Sequence, residues 1–411
     1  MRLLAHTDRL DRPAWMLLMI NGLFAVATAL SNTFVNVYLW KLERDYATIA
    51  QFNLVSYISM GITLYFAGKL VKKVDRVIAV RVGVALQALF YTFVLILSEQ
   101  AGHYVPLLGT FLGIGIGFYW MANNILYFEI TERENRDIFN GINGLLVSGA
   151  GMVAPLLSGF VITRIDHFTG YRIIFGLSLV IFLAALALTF RLSRRSAHGE
   201  YRLREVVRLA RNPKKHWFWI NLAMIAQGAR EGIYLFLIGI LVFVSTKNEL
   251  VLGTFLTFSS AVSLVGFFMV GRFIKPEWRD EAILVGAVML GLMGLPFLLS
   301  QTTWSLLLFG IGIAFFYPLY FIPLTSTVFD VIGQNEKTAA LRVEYIVARE
   351  MALNVGRVGS IMLFLGWISF SVSLMHLSWF LVTLGFVQVF VWICIRRLPV
   401  FDEHERASTF K

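Results

Sequence analysis

Apolar segments, about a dozen of them and each long enough to cross a bilayer, fill nearly the whole chain from Trp15 to Arg396. A spanning helix takes roughly 20 mostly apolar residues. Inside lipid every backbone polar group must find an internal partner, so only helices and closed barrels can span. The segments are far longer than barrel strands and lack strict alternation, so the pattern predicts an all-α, polytopic membrane protein. Helices are expected near 14–40, 46–68, 77–98, 104–128, 138–165, 171–190, 216–244, 249–271, 281–300, 303–328, 341–366 and 371–395. An apolar run that continues from Trp15 to Trp40 exceeds a signal-peptide core, so the first helix is expected to be uncleaved.

Composition matters chiefly for its charge. Of 411 residues, 58% are hydrophobic and 15% charged, which leaves little chain for a separate soluble domain. The net charge of +11 would suit nucleic acid if it were clustered on a folded surface. Sorted along the predicted topology, however, 28 of the 36 Lys and Arg fall on the side of the termini, 5 on the other and 3 inside helices. That is the positive-inside bias, which puts both termini in the cytoplasm and removes nucleic acid as a partner. Cys394, a single cysteine, allows no intrachain disulfide and no cysteine metal cluster.

The longest polar interval, residues 191–215, holds nine Lys or Arg and divides the helices six and six. It suggests an N-terminal bundle over 1–190, a basic central loop over 191–215 and a C-terminal bundle over 216–411. The halves carry related sequence. Gly68-Lys-Leu-Val-Lys72 with Arg76 and Gly83 matches Gly271-Arg-Phe-Ile-Lys275 with Arg279 and Gly286 at a constant offset of 203. Gly113-Ile-Gly-Ile-Gly-Phe-Tyr-Trp120 in the fourth helix answers Gly310-Ile-Gly-Ile-Ala-Phe-Phe-Tyr317 in the tenth.

Twelve helices, paired halves and a basic central loop resemble the major facilitator superfamily over the whole chain, and bacterial members in particular. The loop after helix two resembles the family pattern G-x-x-x-D-R-x-G-R-[RK] at Gly68 and Arg76, with Lys72 where the aspartate is expected and Asp75 replacing the second glycine. The resemblance implies a gating role for Gly68, Asp75 and Arg76, with Asp75 and Arg76 supplying the paired charges; the mixed charge run Glu129–Asp137 reads as solvated. A helix-five pattern associated with antiporters falls on Gly141, Ala150, Ala154, Pro155, Ser158 and Gly159, with Ala or Ser at three glycine places. It implies a bending or sealing surface that includes Gly141, Pro155 and Gly159. The basic residue that many proton antiporters carry in helix four is absent between Leu112 and Phe128.

Charged side chains inside helices are the sharpest clue from the residues themselves, since one at a helix centre costs roughly 2.5–3.5 kcal/mol on the insertion scale. Helix seven carries Arg230-Glu231, flanked at helical spacing by Gln227 and Tyr234. Helix eleven carries Arg349-Glu350, then Asn354 and Arg357 one and two turns on. Neighbours on a helix point about 100° apart, so pairing between helices is expected rather than within each dipeptide. Burial favours a neutral carboxyl and a nearby arginine favours the charged form, so a change of surroundings can load and release a proton. Glu231, Glu350, Arg230 and Arg349 are therefore the candidate proton-coupling groups, the bland alternative being mutual neutralisation that holds the C-terminal half together. In the N-terminal half, Asn21, Thr28, Asn32 and Asn36 form one stripe and Trp120, Asn123, Asn124 and Tyr127 another; Tyr317 and Tyr320 lie on helix ten. In the superfamily helices one, four, seven and ten line a central cavity. The resemblance thus implies a substrate surface drawn from Asn32, Asn36, Trp120, Asn123, Asn124, Tyr127, Gln227, Tyr234, Tyr317, Tyr320, Asn354 and Arg357.

HExxH, CxxC, G-x-S-x-G and G-x-x-x-x-G-K-[ST] are all absent from the sequence, which argues against an enzyme, a metal site, a cofactor and an ATP-driven pump. The expectation is a monomeric, multi-pass secondary transporter of the bacterial cytoplasmic membrane, partnered by lipid, protons and a small-molecule substrate. Proton-coupled efflux leads; metabolite uptake, lipid or glycolipid translocation, and a receptor on a transporter scaffold stand as alternatives.

Overall fold

The computed structural model describes residues 10–131, 136–165, 168–195, 199–334 and 336–398. They are overwhelmingly helical. In chain order the helices are α1 (Arg12–Glu43), α2 (Tyr46–Lys73), α3 (Arg76–Leu97), α4 (Val105–Ile130), α5 (Arg136–Arg164) and α6 (Thr169–Thr189), then α7 (Leu203–Ala210), α8 (His216–Thr246), α9 (Glu249–Phe273) and α10 (Arg279–Leu292). They end with α11 (Leu295–Leu299), α12 (Thr303–Gly333), α13 (Glu336–Ala340), α14 (Arg342–Ile368) and α15 (Leu374–Ile395).

Short polar residues set the helix starts. Asp11 accepts the Ala14 amide and precedes Pro13, whose missing N–H costs nothing in a first turn. Asp45 accepts from Ala47 and Thr48. Thr302 and Ser305 cap α12 reciprocally. At the other end of α1, Arg44 takes a left-handed conformation (φ 52°) and returns its N–H to the Trp40 carbonyl.

Eleven helical stretches among the described residues are long and apolar enough to cross a membrane. One of them, Arg76–Tyr127, joins α3 and α4 through a 3₁₀ segment at Ser98–Tyr104. Since α3 packs along α4, this stretch makes two crossings, and the expected twelve are present. The ninth expected helix, 281–300, is broken: α10 stops at Leu292 and α11 restarts at Leu295. Gly294 and Pro296 account for the break, one by its helix-weakening freedom and the other by its ring and missing donor. Of the mixed charge run after α4, residues 132–135 lie outside the described residues.

The chain divides into two compact units. Unit 1 comprises Met1–Tyr201 with Thr246–Thr257, and unit 2 comprises Arg202–Ser245 with Phe258–Lys411. In unit 1, α4 packs on α2 and α3, and α1 packs on α5 and α6. In unit 2, α10 packs on α12 and α15, and the amphipathic α7 lies against α14. The repeat seen in the sequence has a steric counterpart. A Cβ on Gly83 would stand 2.5 Å from the Tyr119 backbone nitrogen, and one on Gly286 would stand 2.7 Å from that of Tyr320. Both units thus use a glycine at the same point to let two helix backbones nearly touch.

Candidate functional site

In unit 2, glycines bring α8 against α14. A Cβ on Gly228 would collide with the Leu353 carbonyl oxygen, one on Gly356 with that of Ile225, and one on Gly232 would lie 2.7 Å from the Arg357 Cα. This approach seats Glu231 beside Arg357. The guanidinium donates to Glu231 Oε2 from Nη2 at 2.6 Å and from Nε at 3.3 Å. Gln227, one turn earlier on α8, donates to Glu231 Oε1 at 2.9 Å, and the Tyr320 hydroxyl donates to the Gln227 side-chain oxygen at 3.4 Å. The two charged side chains are only 14% and 12% exposed, so the pair is one in which removing either member strands the other charge.

The neighbouring ion pair is of a different kind. Arg349 donates from Nη1 to Glu350 Oε1 at 2.9 Å, so this dipeptide pairs with itself, contrary to the expectation of pairing between helices. The long arginine stem folds around the helix far enough to bridge the 100° between neighbours. Its guanidinium also lies 5.5 Å from the Phe329 ring centroid. Asn354 donates to the Glu350 carbonyl at 2.8 Å and is committed to its own helix.

Arg230 differs from both. It is 4% exposed, and its guanidinium lies over the rings of Tyr234 (4.2 Å) and Tyr317 (5.7 Å). Its Nε and Nη2 are buried and, among the described residues, meet no protein acceptor. Tyr234 turns its hydroxyl to the Leu381 carbonyl at 2.6 Å, and Tyr317 stacks on Phe321. Pro318 and Pro323 lie inside the continuous α12 near Tyr317 and Tyr320, each removing a backbone donor there.

Unit 1 assembles a neutral interior. Asn21 accepts from the Tyr119 hydroxyl at 2.8 Å and donates to Asn143 at 3.1 Å. Tyr119 stacks face to face on Phe24. Asn36 accepts from Asn53 at 2.8 Å and donates to the Asn32 carbonyl, while the Asn32 side chain is exposed. Asn123 and Asn124 are half-buried, and the Asn123 side-chain oxygen meets no protein donor. Tyr127 accepts from Asn140 at 2.7 Å. Trp120 is 47% exposed, whereas its neighbour Tyr119 is buried. Tyr119, Asn53 and Asn143 gave no signal as site residues in the sequence, because which of them meet depends on how separate helices pack.

The loop after α2 is built differently from its expected charge pairing. Gly68 is buried in α2. Asp75 is buried and caps α3, accepting the Val77 amide at 2.7 Å and the Ile78 amide at 3.2 Å. Arg76 pairs with Glu129 at the end of α4 (2.6 Å) and donates to the Arg195 carbonyl at 3.3 Å. Arg195 donates in turn to the Glu129 carbonyl. The carboxylate that meets Arg76 therefore comes from a segment that read as solvated charge. In α5, Gly144 and Gly149 face open space, and Gly141 is half-buried. Gly159 instead meets the Glu249 backbone, where a Cβ would stand 2.5 Å from its carbonyl oxygen, and Pro155 lies against Gly253. Glu249 is itself held by Lys41 (2.9 Å) and by the Tyr171 hydroxyl (2.9 Å), and the ion pair joins residues 208 positions apart that no motif or helical spacing links. Among the described residues no group of His, Cys, Asp and Glu is arranged to hold a metal ion.

Residues 17–343 match the family described as Major Facilitator Superfamily. A Bacillus subtilis (strain 168) protein, "Uncharacterized protein YqgE", is 46% identical over 349 residues, spanning 85% of this chain and 81% of that one. The nucleoside transporter NupG superposes with a TM-score of 0.69 at 13% identity, over 94% of this chain and all of that one. The E. coli fucose:proton symporter FucP does so at 0.63 and 15% identity, over 95% and 98%. The two structural likenesses show a shared fold, and the match over most of the chain settles membership: this multi-pass membrane protein belongs to the major facilitator superfamily of transporters.

Proposed function

We propose that the chain is a secondary active transporter of the bacterial cytoplasmic membrane that moves a small organic solute by alternating access, with both termini cytoplasmic and with Glu231 as its proton carrier. The single observation behind this reading is the Glu231–Arg357 pair, a carboxylate in the middle of α8 held by an arginine from α14. Protonating Glu231 removes one charge of the pair and releases Arg357, so proton uptake and a change in α8–α14 packing become one event. Breaking such a pair without a proton costs about 3–5 kcal/mol, enough to keep the two steps tied. Gln227 and Tyr320 extend the network to α12, so the same event reaches a third helix. Glu350, paired with its own neighbour, lacks this link between helices and serves as the secondary candidate.

Export is the leading direction, on the antiporter-like pattern in α5, whose Pro155 and Gly159 sit in close backbone packing. Uptake is the second reading, favoured by the similarity to a protein named as a proton symporter. The test is transport in proteoliposomes. Glu231→Gln is expected to abolish gradient-driven movement while solute exchange without a gradient persists. Normal gradient-driven transport by Glu231→Gln would remove Glu231 as the carrier, and the sign of the response to an imposed proton gradient separates export from uptake.

A further inference from the structure

The ionisable groups in the middle of α8 and α14 do not balance. Arg230, Arg349 and Arg357 face two carboxylates, Glu231 and Glu350, and both carboxylates are taken. The excess positive charge is Arg230, 4% exposed and, among the described residues, without a carboxylate partner. Arginine cannot shed its charge in a protein, and a buried charge left unpaired is costly. The two tyrosine rings offset part of that cost by facing the guanidinium plane. Among the described residues they leave Nε and Nη2 without an acceptor.

The two nitrogens left over are informative because of which they are. Nε and Nη2 point their hydrogens along the same edge of the guanidinium, the side-on fork that receives the two oxygens of a carboxylate or phosphate. Arg357 uses this same edge, Nε and Nη2, to grip Glu231. The same edge of Arg230 is buried and empty of protein acceptors. We infer that Arg230 binds the oxyanion of the ligand, a carboxylate or phosphate, with Tyr234 and Tyr317 holding its plane, and so that the solute carried under the reading above is anionic. The inference rests on that reading for transport alone; binding is tested without any gradient.

The experiment is thermal unfolding of the full-length protein in a non-ionic detergent, at ionic strength fixed with NaCl. Succinate, citrate, inorganic phosphate and glucose 6-phosphate are titrated beside glucose and uridine as neutral probes, and one arm adds phosphatidylglycerol to the micelles. A saturable rise in Tm with one or more of the oxyanions, absent with the neutral probes, is expected. Arg230→Gln should weaken that response at least about tenfold. Arg230→Lys, which keeps the charge but lacks the fork, should weaken it less. In the absence of anion, Arg230→Gln should melt no lower than the unaltered protein, because the unpaired buried charge it removes costs more than the two ring contacts return. A response to phosphatidylglycerol alone that depends on Arg230 supports the oxyanion site and assigns its source to a lipid headgroup. No anion response beyond NaCl, an undiminished response in Arg230→Gln, or a collapse of Tm in that variant without ligand would each overturn the inference. Failure of proteoliposome transport would sink the carrier reading and leave the binding result standing.

Discussion

Unit 1 and unit 2 both carry polar side chains in the middle of apolar helices, but they use different chemistry there. Unit 1 relies on amides and hydroxyls: Tyr119, Asn21 and Asn143 form one chain of hydrogen bonds, and Asn53 and Asn36 form another. Among the described residues, ion pairs of unit 1 such as Arg76–Glu129, Lys41–Glu249 and Arg172–Glu99 sit at helix ends. Unit 2 instead puts full charges at mid-helix, on α8 and α14, and leaves one guanidinium fork empty. A neutral network of this sort is fixed once its hydrogen bonds are made. A charged one can be rearranged by a single proton or a single anion, because each strands or rescues a whole charge in a medium that tolerates it poorly. Under the proposed function, the polar groups of unit 1 serve as scaffold and those of unit 2 as the switch.

The sharpest way to break that contrast is to cut the pair in unit 2. Arg357→Met should destabilise the protein by about 3–5 kcal/mol by stranding Glu231, and adding Glu231→Gln should recover most of it. Thermal unfolding of the two single variants and the double variant measures this; simple additivity would mean the pair is not coupled. Next come the matched glycines. Gly83→Val and Gly286→Val should each cost about 1–3 kcal/mol or more, as Cβ atoms are driven into the Tyr119 and Tyr320 backbones. Gly144→Ala in α5, where a Cβ meets open space, should be neutral or stabilising by up to about 1 kcal/mol. Unequal costs at Gly83 and Gly286 would show that the repeat is not kept in packing.

Within unit 1, Tyr119→Phe removes a buried donor to Asn21 and is expected to cost about 1–3 kcal/mol. It should leave proton-driven transport intact, and a coupling defect would end the scaffold assignment. The smallest effects belong to the loop after α2. Asp75→Ala, which loses an N-cap, should cost about 0.5–2 kcal/mol. Glu129→Gln, which loosens a partly exposed ion pair, should cost only about 0.2–1 kcal/mol. The reverse order would show that the charge pair, rather than the cap, holds that loop.

Membrane-spanning helices, their number and the internal repeat were legible in the sequence, because burial in lipid imposes a length, a composition and a backbone requirement that every segment must meet alone. Glycine positions were legible too, since Gly83 and Gly286 stand at one repeat distance. The charged residues of α8 and α14 stood out as well, being expensive wherever they sit in an apolar run. Their pairing was not legible. Whether Glu231 meets Arg349 or Arg357 depends on helix rotation and on glycines that admit a neighbouring backbone, and Arg349 reaches Glu350 only through its flexible stem. The break in the ninth helix was missed because an apolar run conceals a Gly-x-Pro interruption from hydropathy. Asp75, read as half of a charge pair, became a helix cap once the chain direction at α3 was fixed. Composition, spacing and repeat already make the chain a helical membrane scaffold of two related halves with charges inside one of them. Which charges cancel, and that Arg230 is left over, follows from distances between helices, which no single helix encodes.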